Sequence, residues 1–303
     1  MISIGSNFQL HTSSKGIGSM LALRQVLLFV FIVCPLLFNC SLRGIAFRYA
    51  EWIVDHKIDD AFDLTGENYR FLKIATADAG RSIRQMVLPR ASFALTEASF
   101  RLADGLDSSD INLIDTQVLS FRIELIGIVA DGFAAMAKRL STKEIDHFER
   151  YLADENSDLV EFSGLPPADF AQEQNKRATK NLKYWVGPQS KERFFALNVP
   201  FLLDQEEVQR KLEVRRSSQK HFLIWLRGNS TRDVAAIAAD IKKWAREPFW
   251  FVPNGTALGL NSWMKTFLPK LQQFDKLLTP AERGTLQATI ISLGDDCTRA
   301  SKS

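Results

Sequence analysis

An all-α fold, an irregular multi-helix bundle following a cleaved lipoprotein signal peptide, is predicted by three features of this chain. Helical periodicity recurs through the body of the sequence, while alternation with period two is scarce. Ile111, Ile114, Val118, Phe121, Leu125 and Ile128 keep a strict three-four spacing that continues through Met136 and Leu140. Such a seam lines one side of a helix and packs against other helices. Helix-start and helix-stop residues punctuate the remainder.

The first element is a leader. Arg24 precedes an apolar run from Val26 to Phe38, followed by Asn39-Cys40-Ser41. The run is about thirteen residues, whereas a membrane-crossing helix needs roughly 20. A short apolar run behind a basic residue is the pattern of an export signal. Met20 is the expected start, because residues 1–19 are polar and rich in Gly and Ser. Leu37 stands three before Cys40, as a lipobox requires, although Asn39 is larger than the usual Gly, Ala or Ser. Cys34 is the poorer candidate, with Val33 before it and apolar residues after it. The reading is a signal over 1–39, lipidation at Cys40 and one helical domain over 40–303. Ordinary cleavage nearby and an uncleaved anchor are the alternatives. Ser41 rather than Asp after the cysteine favours the outer membrane, by analogy with Gram-negative sorting.

Helices are then expected over 43–60, over 66–88 with a stop at Pro89, and over 90–104 with a stop at Gly105. The seam helix is followed by 143–162, ended by Gly164-Leu165-Pro166-Pro167, and by 168–186, closed by Gly187-Pro188. A helix over 190–226 is expected to bend near Pro200, where one backbone donor is missing. Segments 231–246, 256–276 and 280–296 complete the set, with Pro248–Gly255 as an aromatic, non-helical connection.

Four segments share a helix-opening pattern: DLTGENYRFL (63–72), LSTKEIDHFERYL (140–152), GPQSKERFFAL (187–197) and LLTPAERGTL (277–286). In the last, Thr279 is placed to cap, Pro280 opens the helix and Glu282 sits at its third position, which makes a capping box. Ser141 and Glu144 repeat it. The spacing between segments is irregular, so a solenoid is not expected. Periplasmic helical chaperones carry Leu-Thr-x-x-Gln at helix starts, and these segments resemble that motif without its Gln.

Lys and Arg number 38 against 35 Asp and Glu, and two of the cations, Lys15 and Arg24, lie in the leader. A body so nearly neutral has no global pull towards nucleic acid, and no nucleic-acid partner is expected. Of three cysteines only Cys297 would remain besides Cys40, so no disulfide within the mature chain is expected.

Glu51, Asp55, Asp59 and Asp63 recur every four residues and share one helical face, with Asp60 beside them. Like charges at this spacing destabilise a lone helix by a few tenths of a kcal/mol per pair. Solvent, a cationic neighbour such as Arg210, Lys211, Arg215 or Arg216, a partner or a hard cation could offset that. Ion pairing or solvation is favoured, because a straight stripe does not wrap calcium. His56, His147 and His221 lie on separate helices without metal-ligand spacing. The basic stretch 210–220 is interrupted by Glu213 and reads as a salt-bridged face. The aromatic run Pro248–Pro253 reads as a buried plug, with Trp225, Trp244 and Trp263 as its surroundings. No phosphate loop, nucleophile elbow or paired-cysteine site occurs.

The segments CSLRGIAFRYAEWIVDHKIDDAFDL, LSTKEIDHFERYL, LKYWVGPQS and LLTPAERGTL resemble an uncharacterised family of proteobacterial lipoproteins, a domain-of-unknown-function group. The resemblance covers most of the mature chain and implies a helical envelope lipoprotein. It implies no activity, so no catalytic residue follows from it. The function expected is a membrane-tethered periplasmic module, with no enzymatic activity and no cofactor. It would be attached through its lipid and would act on another envelope protein. A chaperone-like binder of unfolded envelope proteins and an enzyme with a site assembled across helices are the alternatives.

Overall fold

The computed structural model describes residues 50–198, 201, 204–247 and 260–302. They form helices and no strand among the described residues: α1 (Ala50–Phe62), α2 (Gly66–Ser82), a π turn (Ile83–Val87), α3 (Leu88–Arg101), α4 (Ser108–Arg139), α5 (Thr142–Ser163), α6 (Pro167–Val186), α7 (Lys191–Asn198), α8 (Gln205–Arg227), a 3-10 turn (Gly228–Thr231), α9 (Val234–Trp244), α10 (Leu260–Leu277) and α11 (Pro280–Ser301). The helices pack as an all-α multi-helix bundle. Cys40, the start of the first expected helix, Pro200 and the aromatic run from Pro248 lie outside the described residues.

The first amides of a helix have no partner within it, and their capture decides where the chain can turn. Both expected capping boxes form. Ser141 Oγ accepts from the amide of Glu144 at 3.3 Å, while the amide of Ser141 donates to Glu144 Oε2 at 2.8 Å. Thr279 and Glu282 repeat those contacts at 3.3 and 2.8 Å. A third box, Asp107 with Asp110, opens α4 and uses Asp where Glu or Gln is usual.

Each boxing glutamate also serves a second helix. The amide of Thr65, at the start of α2, donates to Glu144 Oε1 at 2.8 Å, and Asn68 Nδ2 donates to both carboxylate oxygens at 3.1 Å. The Thr65 hydroxyl makes no cap of its own. Arg193 on α7 grips Glu282 through Nε at 2.8 Å and Nη2 at 2.5 Å, and Nη2 also donates to the carbonyl of Leu277. The four helix-opening segments therefore meet as two pairs: 63–72 with 140–152, and 187–197 with 277–286. Burial raises the pKa of Glu144, but hydrogen bonds from Thr65, Ser141 and Asn68 outweigh it and hold the group below the ordinary carboxylate range. Arg193 is the main cause of the fall at Glu282, to about 2.

Two proline expectations need correction. Pro89 does not stop the second helix. The chain runs from α2 through the π turn into α3, where the amide of Leu88 donates to the carbonyl of Ile83, five residues back. Proline lacks the amide that a regular turn would use, and its ring clashes with the carbonyl four residues before. A widened turn removes that conflict and keeps the helix going. The expected bent helix over 190–226 is instead two helices, α7 and α8. The Asp204 carboxylate caps α8 by accepting from the amide of Glu207 at 2.5 Å, so the chain restarts rather than bends. Gly105 does stand in the turn after α3, with φ of 101°, and an added Cβ would meet Asp275 Oδ2 at 3.3 Å.

The main core gathers Phe62, Leu72, Ala130, Met136, Ile145, Phe148, Phe222, Leu226 and Ile237, drawn from α1, α2, α4, α5, α8 and α9. Phe62 stacks on Phe148 at 4.3 Å between centroids, and Phe222 meets Trp225 and Trp244. A second core joins Leu102 and Leu106 to Leu182, Leu197, Phe274 and Leu286. A third lies between the π turn, α3 and the end of α11. The seam helix α4 reaches all of them. Ile111 and Ile114 pack on the second core, Leu125 and Phe121 on the third, and Met136 on the main core. Its other face, with fully buried Ala130 and Ala134, lets α9 approach closely.

Replacing Glu144 by Ala strands the amides of Thr65 and Ser141 together, and a loss of roughly 3 kcal/mol in urea unfolding is expected. Glu282 has a folded pKa below its unfolded one. Its stabilisation is present above the ordinary value of 4.5 and disappears as pH falls towards about 2. Glu282→Gln should cost on the order of 3 kcal/mol at pH 7 and flatten the acid-unfolding curve within that window. A curve that overlays the parent would contradict the pairing with Arg193.

Candidate functional site

The acidic stripe belongs to α1, whose inner side carries Ile58, Ala61 and Phe62 into the main core. Positions 51 and 55 lie at the edge of that side and meet α2 and its continuation. Glu51 pairs with Arg84 of the π turn, which supplies the cation that the four-residue spacing calls for. The Glu51 carboxylate rests over Gly80, where any Cβ would collide with it. Asp55 is buried and accepts a hydrogen bond from the Thr76 hydroxyl, which in turn lies 2.9 Å from the carbonyl of Leu72. Burial raises the pKa of Asp55. Thr76 and Lys73 oppose the rise, and Glu51 adds to it.

The stripe is therefore divided rather than presented as one face. Glu51 and Asp55 dock α1 onto α2. Asp59 is half-buried, and Asp60 is exposed while its carbonyl accepts from His147 Nε2 at 3.2 Å. Asp63 leaves the helical face, because α1 ends at Phe62 and Asp63 takes φ of 50°. That left-handed conformation suits the residue after a helix, and Asp tolerates it better than most.

The three described histidines lie apart. His56 stacks on exposed Trp52 at 5.4 Å, His147 reaches Asp60, and His221 Nδ1 lies 2.8 Å from the carbonyl of Ser217. Among the described residues no group of three His, Cys, Asp or Glu is placed to hold a metal ion. In the basic stretch Lys211 pairs with Glu207 at 2.8 Å, four residues before it, and Leu212 turns into the protein. Arg215 lies beside Tyr151 and Glu155, and burial lowers its pKa. Cys297 is buried and unbridged, and burial pushes its thiol up to about 11, which leaves little thiolate at neutral pH.

Several structural partners escaped the sequence reading. Arg84 and Thr76 carry no motif, and only helix-to-helix register brings them to α1. A further group is outward-facing: Met86, Phe93 and Phe100 recur every seven residues and stand exposed, Phe93 at 72% and Phe100 at 70%. A recurrence of seven was legible, but the expected helix break at Pro89 divided it. Beside Phe93 an open groove of about 330 Å³ runs between α3 and α4, lined by Pro89, Arg90, Gln117 and Phe121.

No family model matches the chain, and neither a curated protein nor a solved structure matches it.

Asp55 has a folded pKa above its unfolded one, so its contribution to stability is greatest below the unfolded value and is lost as pH rises through the folded value. Asp55→Asn keeps an acceptor for Thr76 and removes a buried charge. A thermal midpoint at pH 7 that is unchanged or a few degrees higher is expected. Thr76→Val should lower stability in urea unfolding by roughly 1–2 kcal/mol, because the carboxylate loses its donor.

Proposed function

We propose that this chain is an envelope lipoprotein, held by an acylated Cys40 to the periplasmic side of the outer membrane, whose helical body works as a structural or interaction module. The observation that carries the reading is the leader: Arg24, the short apolar run, and Cys40 with Leu37 three residues before it. Among the described residues no helix is long and apolar enough to cross a membrane. The reading places attachment in acyl chains on Cys40. Each buried methylene contributes roughly 0.8 kcal/mol, so one chain binds reversibly and several hold firmly.

The division of the acidic stripe supports a binding role for only part of it. Glu51 and Asp55 serve the contact between α1 and α2. Asp60 and Asp63, with half-buried Asp59, are the acids left to face an envelope protein with a basic surface. They lie within about 25 residues of Cys40 in the sequence, so the proposed surface follows shortly after the tether.

The test is fractionation with mass analysis. Cys40→Ala should move the protein from the membrane to the soluble periplasmic fraction, and the parent should carry acyl mass on residue 40. Unchanged fractionation, or an unmodified residue 40 in the mature chain, defeats the proposal. In crosslinked envelopes, Asp60→Lys with Asp63→Lys should abolish a partner band that Cys40→Ala only weakens.

A further inference from the structure

Met86, Phe93 and Phe100 form an apolar line along the outer side of the π turn and α3, between the flank facing α4 and the flank facing α11. All three are exposed: Met86 at 49%, with the two phenylalanines more open still. Two aromatic rings left that open on one helix face are exposed well beyond what a solvated helix needs, and apolar surface of that kind is suited to a partner. Residues seven apart return to nearly the same side of a helix, so all three can meet one partner together.

The line is symmetric about its middle. Met86 lies seven residues before Phe93 and Phe100 seven after. Its charged flank is antisymmetric. Arg90 stands three residues before Phe93 and Glu97 four after, both turned to the same side by roughly 40–60°. Both belong to ion pairs that hold them on that rim. Arg90 Nη1 lies 2.6 Å from Glu124 Oε2, and Arg101 Nη2 lies 2.9 Å from Glu97 Oε1. Arg90 is nevertheless 55% exposed and Glu97 33%.

We propose that this face pairs with the same face of a second copy of the chain, antiparallel, about a two-fold axis passing beside Phe93. Under that operation Phe93 meets Phe93, and Met86 meets Phe100 of the other copy. The charged flank falls against the charged flank. Arg90 lies about 4.5 Å to one side of the axis and Glu97 about 6 Å to the other, so each Arg90 comes level with the other copy's Glu97 to within about 1.5 Å. Two cross-copy ion pairs then border one apolar line, an isologous interface of the commonest symmetry. A parallel pairing sets the same charges against the opposite flank, where Thr96 lies against α11. The charge pattern therefore selects the antiparallel arrangement of two copies over the parallel one. This pairing is independent of whether Cys40 carries lipid.

The test uses the full-length chain, purified in a non-ionic detergent, in sedimentation velocity over a concentration series. The parent should associate to a dimer. Phe93→Glu, at the centre of the interface, should raise the dissociation constant by at least about thirty-fold. Arg90→Glu and Glu97→Arg should each weaken the dimer, and the double variant should restore it, because the swapped charges again oppose each other across copies. Circular dichroism of each variant separates lost pairing from lost fold. For direction, Met86→Cys mixed with Phe100→Cys should crosslink under mild oxidation, while Met86→Cys alone should not. Both crosslinking variants carry Ser in place of Cys34 and Cys40, and Cys297 is buried and stays out of that reaction. A parent that remains monomeric up to its solubility limit overturns the proposal, whether or not it binds lipid vesicles or another protein through this face. A double variant no better than the single ones, or self-crosslinking of Met86→Cys alone, overturns it equally.

Discussion

The carboxylate of Glu144 sits almost out of reach of solvent and accepts from the starts of two helices that are far apart in sequence. A buried charge is tolerable only when hydrogen bonds replace its water. Here those bonds come from groups that would otherwise be the unpaired first amides of α2 and α5. Each requirement meets the other, and together they set where the α1–α2 corner stands against α5. Phe62 and Phe148 can stack only once that corner is placed, and the main core grows from that stack. Glu282 and Arg193 repeat the arrangement between α7 and α11, beside the second core.

Between these two anchored corners runs α4. Its thirty-two residues carry large side chains towards the second and third cores and small ones towards α9. One helix thus joins the three larger apolar clusters. Polar side chains reinforce the joints at its flanks. Buried Arg122 donates through Nε to the carbonyl of Ala245 at 2.6 Å, taking up a carbonyl at the end of α9. Buried Asp275, paired with half-buried Arg283, accepts from the amide of Leu106 at 2.8 Å and secures the turn before α4.

The helices were largely legible, because punctuation and three-four spacing are local properties of the chain. Ser141 with Glu144 and Thr279 with Glu282 could be read from four or so residues at a time. The second duty of each glutamate could not, since Thr65 and Arg193 lie dozens of residues away. Asp107 with Asp110 went unread because the box there uses Asp twice. Pro89 misled for a physical reason: a widened turn lets the chain carry a proline without ending the helix. The acidic stripe was legible as a pattern, but its partition was not. Its fate depends on Arg84, Thr76 and Gly80, which are ordinary residues made significant by packing.

The widened turn before Pro89 has a consequence for how this segment can vary. A π turn holds one residue more than its α-helical equivalent, yet the helix on either side keeps its seat: Leu72 in the main core, Ser99 beneath α11. It amounts to an insertion that the helix has absorbed. Deleting one residue from 83–87 would leave those seats intact while returning Pro89 to a tight spiral that its ring strains and kinks. The extra residue and the proline are thus a matched pair: the widened turn takes up the distortion that the proline ring would otherwise impose on the helix.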